Sequence, residues 1–215
     1  MNTKKLTALA MLSAIAFIMS ALIRVPVVLF LRYDPKDIII TIAGFVYGPM
    51  AAFLVTLVVA FVQMFTISQT GPWGFLMNVI ASASFCCTAA YIYKIKPNTK
   101  GVIIGLAAAF FVSTAIMMLW NYTIVPLYMP GVTREAVAPL LLTAFLPFNL
   151  ISNGLNAAFT VLLFKHVKKI LQTANLLPPL IERDEYARIN IGLILAAVFV
   201  ALSCIMWVLS LRGVL

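Results

Sequence analysis

Asn149, Asn153 and Asn156 stand at i, i+4 and i+7 of one apolar run, which puts three amides on a single helical face. An amide buried in hydrocarbon without a partner costs several kcal/mol. Such side chains therefore bond to a neighbouring helix or face a polar guest. Gln63, Asn78 and Asn121 lie in other apolar runs. Projected on helices, they gather towards the same half of the chain's apolar segments. Trp120 and Tyr122 flank Asn121, Phe148 precedes Asn149, and Ser152 lies one turn on; Trp73 and Phe75 precede Asn78. Amides to fix orientation and aromatic faces for a flat ring suit an uncharged heterocycle in a neutral pocket. The competing role for each amide is interhelical hydrogen bonding, about 0.6 kcal/mol a pair. Asn156, the deepest, fits that role best. For Trp73 and Tyr128 the competing role is an interfacial anchor.

Other chemistry is poorly provided for. The chain has no P-loop motif, no HExxH and no GxSxG. Its single histidine, His166, sits in the basic cluster KHVKK. Cys86 and Cys87 point to different faces of one apolar run and Cys204 lies in another, a pattern of inert buried thiols rather than a metal or redox site. No acidic residue is expected within a membrane span, which argues against a proton relay or a carboxylate cation site. We expect no metal, no cofactor and no enzymatic activity.

The elements that position these residues must be membrane helices. From Ile38 to Tyr93 there is no Asp, Glu, Lys or Arg. Hydrophobic residues make up 64% and charged residues 10%. Soluble domains run at about 45–50% and about 25%. One crossing of a bilayer takes roughly 20 apolar residues, so that run is long enough for three. A barrel would alternate polar and apolar residues, and AAFLVTLVVAF does not. The net charge of +9 does not indicate nucleic acid, because the basic residues sit in short loops between spans.

Those loops set the topology. Lys4-Lys5, KIKPNTK (94–100), KHVKK (165–169), Arg183 and Arg188 fall on the cytoplasmic side by the positive-inside rule. Arg24, Arg32, Lys36, Arg134 and Arg212 fall outside. Lys5 and Lys94 on one side require an even number of passes between them. Gly48-Pro49 supplies the missing break, since proline suits a first helical turn and interrupts an interior one. The predicted elements are a first span over 6–31, a short segment 37–47, and helices 49–68, 73–93, 101–125, 139–164 and 189–211. The segment 37–47 is too short to cross alone and must be shielded by neighbours. RYDPKD (32–37) is read as an outer loop able to fold over a pocket mouth. The segment 126–139 is read as a Pro-rich outer loop. The predicted organisation is a membrane domain over 1–170, a cytoplasmic polar linker over 171–188, and an additional transmembrane helix over 189–211.

YDPKDIIITIAGFVYGPMAA (33–52), the WNY at 120–122 and LPFNLISNGLNAAFTVLLFKHV (146–167) resemble the substrate-binding S components of energy-coupling-factor vitamin transporters, most closely the riboflavin type. The resemblance covers about residues 1–170. It implies a six-helix bundle with both termini inside. It also implies partners, a transmembrane coupling subunit and two cytoplasmic ATPases, and a bacterial cell membrane. The small residues Ala10 and Ala14 correspond to the coupling-subunit contact on the first helix. Asn121 and Asn149 correspond to ligand-binding asparagines. The riboflavin group usually has lysine three positions after the second asparagine, where this chain has Ser152. The appended seventh helix is a further departure.

The function expected is capture of riboflavin or a related flavin from outside for ATP-driven uptake. Asn121 and Asn149 orient the ring, Ser152 and Asn78 assist, and Trp120, Tyr122 and Phe148 provide walls. The alternatives are another vitamin or heterocyclic precursor, or a membrane scaffold with no small ligand.

Overall fold

The computed structural model describes residues 3–29, 31–68, 70–128, 133–176 and 191–211. They form α1 (Thr3–Leu22), a hairpin of β1 (Val25–Val28) and β2 (Leu31–Tyr33), α2 (Lys36–Tyr47), α3 (Pro49–Thr66), α4 (Gly71–Ile95) and α5 (Thr99–Tyr128). Then come α6 (Arg134–Leu140), a π-helical turn (Leu141–Phe145), α7 (Leu146–Thr173) and α8 (Ile191–Leu211). This is an all-α membrane architecture in which α1, α3, α4, α5, the α6–α7 rod and α8 are long and apolar enough to cross a bilayer.

The break at Gly48-Pro49 is where the sequence places it. Gly48 has φ of 92°, in the left-handed region glycine favours. Pro49 then opens α3. With 12 residues α2 is only about 18 Å long. It lies at the centre of the bundle, buried from Lys36 to Val46 and packed by α1, α3, α4 and α7. Small residues permit that packing: a Cβ on Gly44 would come within 2.8 Å of the Ala90 Cβ on α4.

The two ends of the bundle differ. At one, the Lys5 Nζ donates to the Tyr47 carbonyl (3.4 Å), and the Tyr47 hydroxyl donates to the Leu176 carbonyl (2.7 Å) beyond α7. The α1 start, the α2–α3 turn and the α7 exit therefore share the basic end. At the other, the Arg24 guanidinium reaches the Ile67 carbonyl (3.4 Å), joining the hairpin to the α3–α4 turn.

Three expectations are corrected. The first helix stops at Leu22 rather than running to 31, because Pro26 pushes Val25 into extended backbone and a valine-rich strand follows. The hairpin pairs Val25 with Tyr33 and turns through Leu29 at φ 48°. Lys36 and Asp37 are not in a loop: they form the first turn of α2 and are buried. The Pro-rich segment is mostly helical, with α5 running through Pro126 and α6 starting at Arg134 behind the cap Thr133, whose side chain accepts from the Ala136 N–H. Residues 177–190, with Pro178, Pro179, Arg183 and Arg188, lie outside the described residues, as do 129–132 and Arg212.

α8 packs along α7. The Cys204 Sγ would lie 3.0 Å from a Cβ on Gly154, so the glycine permits close approach.

Candidate functional site: a polar cavity at the hairpin end

The short α2 leaves space above its first turn. Helices α4, α5 and α7 pass on either side, and the hairpin and the π-helical turn complete the wall. The result is a cavity of about 300 Å³, opposite the basic end. It is walled by Asp34, Lys36 and Asp37 at the α2 start, Met77, Asn78 and Ala81 on α4, Ser113, Met117 and Asn121 on α5, and Phe145, Phe148, Asn149, Ser152, Asn153 and Asn156 along the α7 rod. A second chamber of about 390 Å³ adjoins it beneath the hairpin, lined by Arg24, Tyr33 and Gln63 among others. Arg32, Asp34, Thr70, Met77 and Asn78 border both.

The α7 face is largely satisfied from within the protein. Asn149 donates to the Phe145 carbonyl (2.7 Å), and Asn121 on α5 donates to the Met117 carbonyl (2.8 Å). Each thereby ties one N–H to its own preceding turn. Asn153 donates to the Thr114 hydroxyl (3.1 Å), joining α7 to α5. Asn156 accepts from the Tyr33 hydroxyl (2.9 Å) and donates to Asp37 Oδ2 (3.5 Å). Asn153 and Asn156 therefore serve as interhelical bonds while lining the cavity. Phe145, which ends the π-helical turn, and Asn149, one α-helical turn on, line the wall together.

The α2 end carries charge. The Asp34 Oδ1 accepts the Lys36 backbone N–H (3.1 Å), closing the first turn. Its Oδ2 accepts from the Ser20 hydroxyl (2.7 Å), Gln63 Nε2 (3.0 Å) and Lys36 Nζ (3.1 Å). Gln63 also donates to the Ser20 hydroxyl. The Lys36 ammonium further reaches Asn78 Oδ1 (3.3 Å). One carboxylate thus ties α1, α3 and the α2 start together. Burial opposes ionisation of Asp34, but the Lys36 ammonium and the Ser20 hydroxyl outweigh it, so its pKa lies below the ordinary carboxylate value. Asp37 Oδ1 and Ser152 Oγ are buried without a protein partner.

Of the residues singled out from the sequence, Asn78, Asn121, Phe148, Asn149 and Ser152 line the cavity. Trp120 and Tyr122 are not among its lining residues, nor are Trp73 and Phe75. Neighbours of Asn121 point about 100° to either side of it, so they cannot share its direction. Gln63 lines the outer chamber. Ala10 and Ala14 are not among the lining residues and lie on the exposed face of α1. The cavity is not neutral in make-up, contrary to expectation, since Arg32, Asp34, Lys36 and Asp37 all border it. Asp37 is a buried acid in the first turn of α2, a helix too short to cross a bilayer. The available signal was Asp-Pro-x-Asp ahead of an apolar run, a helix-start pattern that places the charges at the helix mouth.

A bundle of apolar helices around a cavity whose apolar wall carries amides and charged side chains has the form of a membrane protein able to hold a small ligand. Residues 4–165 match the family described as ECF transporter, substrate-specific component. The chain is 32% identical to the riboflavin transporter RibU of Staphylococcus aureus over 80% of this chain and 94% of that one. It is 28% identical to the riboflavin transporter FmnP of Bacillus subtilis, covering 88% and 100%. A solved S component of a bacterial ECF transporter superposes with a TM-score of 0.63 at 34% identity, over 78% of this chain and 97% of the other. The chain belongs to the family of substrate-specific components of ECF transporters. α8 lies beyond residues 4–165 that match the family.

Proposed function

We propose that this chain is the substrate-binding subunit of an energy-coupling-factor importer and that it captures riboflavin or a related flavin. The observation that carries the reading is the polar cavity at the end opposite the basic loops, in a chain whose relatives are named riboflavin transporters. By the positive-inside rule the basic end, with the N-terminus, is cytoplasmic and the cavity opens outward. Its volume falls at the small end of the range for ligand pockets, and the adjoining chamber extends it. Asn121 and Asn149 hold the polar edge of the ring with their amide oxygens. Asn78 and Ser152 assist, and Phe148 with Met77 and Met117 forms the apolar wall.

The chain has no nucleotide-binding motif, so the energy comes from partners: a transmembrane coupling subunit and two cytoplasmic ATPases. The exposed Ala10 and Ala14 on α1 support that face as the coupling contact, because small side chains let another helix approach closely. The 1–170 bundle is the binding domain, and 189–211 an additional crossing.

Titration of the detergent-purified chain with riboflavin tests the reading. Flavin fluorescence is expected to be quenched at micromolar ligand or below. Its persistence would remove the flavin assignment, and unchanged affinity in both Asn121→Ala and Asn149→Ala would remove these residues from the site.

A further inference from the structure

Lys36 is the buried cation of the cavity, with only 4% of its surface exposed. An ammonium has three N–H donors. Asp34 Oδ2 takes one and Asn78 Oδ1 another, at 3.1 and 3.3 Å, which leaves one uncommitted. Around it the wall is rich in acceptors. Asn121 and Asn149 each commit an N–H to their own helix, and Asp37 Oδ1 has no protein partner. Such a wall receives the N–H and O–H groups of a guest, and its neutral donors are the second N–H of each amide and the Ser152 hydroxyl. Of the two cations that border the cavity, Arg32 is exposed and Lys36 is buried, and a charged donor in a site of low dielectric is the stronger partner for the guest's carbonyl or ring-nitrogen acceptors.

We propose that Lys36 contacts the ligand directly, donating its remaining N–H to a carbonyl or ring-nitrogen acceptor on the polar edge of the heterocycle. Asp34 is a positioning residue, and the Asn78 Oδ1 helps it hold the ammonium at the α2 mouth while the Asn78 N–H groups remain for the guest. The assignment rests on the flavin reading above and deepens it, by making the guest's edge one that alternates acceptors with donors. An ammonium at that edge also draws electron density along the ring, so it shifts the visible absorption bands of a bound flavin.

The opposing role is charge neutralisation alone, in which Lys36 only compensates Asp34. Two variants of the full chain separate them: Lys36→Met, and the pair Asp34→Asn/Lys36→Met, which removes the ion pair together and so keeps a folded comparison if the single change unfolds the protein. With riboflavin as probe, the double variant is expected to bind about 10- to 100-fold more weakly than wild type, the range for a lost charged hydrogen bond. Its bound-riboflavin absorption bands are expected to move relative to wild type. A folded double variant within about threefold of wild-type affinity, or with an unshifted bound spectrum, would overturn the contact while leaving the flavin reading intact. Failure of the wild-type chain itself to quench riboflavin would overturn both.

Discussion

The two polar walls of the cavity solve the same problem differently. Along α7 the polar groups are neutral: Asn149 is tied to its own helix, Asn153 to one neighbour and Asn156 to two, and the Ser152 hydroxyl has no protein partner. At the start of α2, Asp34 and Lys36 form an ion pair held by a network drawing on α1, α3 and α4. An amide can be buried for one or two hydrogen bonds, whereas a buried charge needs a counter-charge and several donors. The α7 wall is therefore locally organised and tolerant of single changes. The α2 wall stands or falls as a unit, and the helices of half the bundle depend on it.

The largest effect expected is at Asp34. Asp34→Ala leaves Lys36 without its counter-charge and deprives Ser20 of its acceptor and Gln63 of one of its two, and breaking such a pair costs about 3–5 kcal/mol. Thermal unfolding in detergent should show it as a large drop in midpoint. A drop no bigger than that of Asn153→Ala would erase the contrast between the walls.

Asn156 joins the two walls, and Asn156→Leu should cost about 1–3 kcal/mol, because the Tyr33 hydroxyl and Asp37 lose a partner. The same unfolding assay checks it, and a near-neutral result would mean the walls are independent. Asn153→Ala breaks only the bond to Thr114 and should cost about 0.6 kcal/mol.

The charged wall should also respond to acid where the amide wall does not. Asp34 titrates below its ordinary value, so its contribution is complete at neutral pH and is lost as pH falls through that lowered value. Unfolding midpoints followed downward in pH should decline below the usual carboxylate range. Asp34→Asn should remove that part of the decline, and an unaltered acid profile would show that the carboxylate is not what the acid reaches.

The smallest effect lies outside both walls. Thr133→Ala removes the side-chain cap of α6 and should cost about 1 kcal/mol without changing flavin affinity. A change in affinity would mean that α6 shapes the cavity as directly as α7 does.

Much of this was legible in the residues themselves. The absence of charge from 38 to 93 requires membrane helices, Gly48-Pro49 requires a break, and the spacing of Asn149, Asn153 and Asn156 puts them on one face. Each is a property of one helix and its solvent, so a linear pattern suffices. Which amides would be tied up as interhelical bonds was not legible, nor was the burial of Lys36 and Asp37. Trp120 and Tyr122 likewise flank a cavity-lining asparagine in sequence without lining the cavity. The depth at which α2 begins depends on its neighbours, and its charges are admitted there only because Ser20, Gln63, Asn78 and Asn156 converge on them. Those partners lie between 14 and 119 positions away. Hydropathy and periodicity report what one segment prefers. Whether a charge can be buried is decided by groups that only the folded bundle brings together.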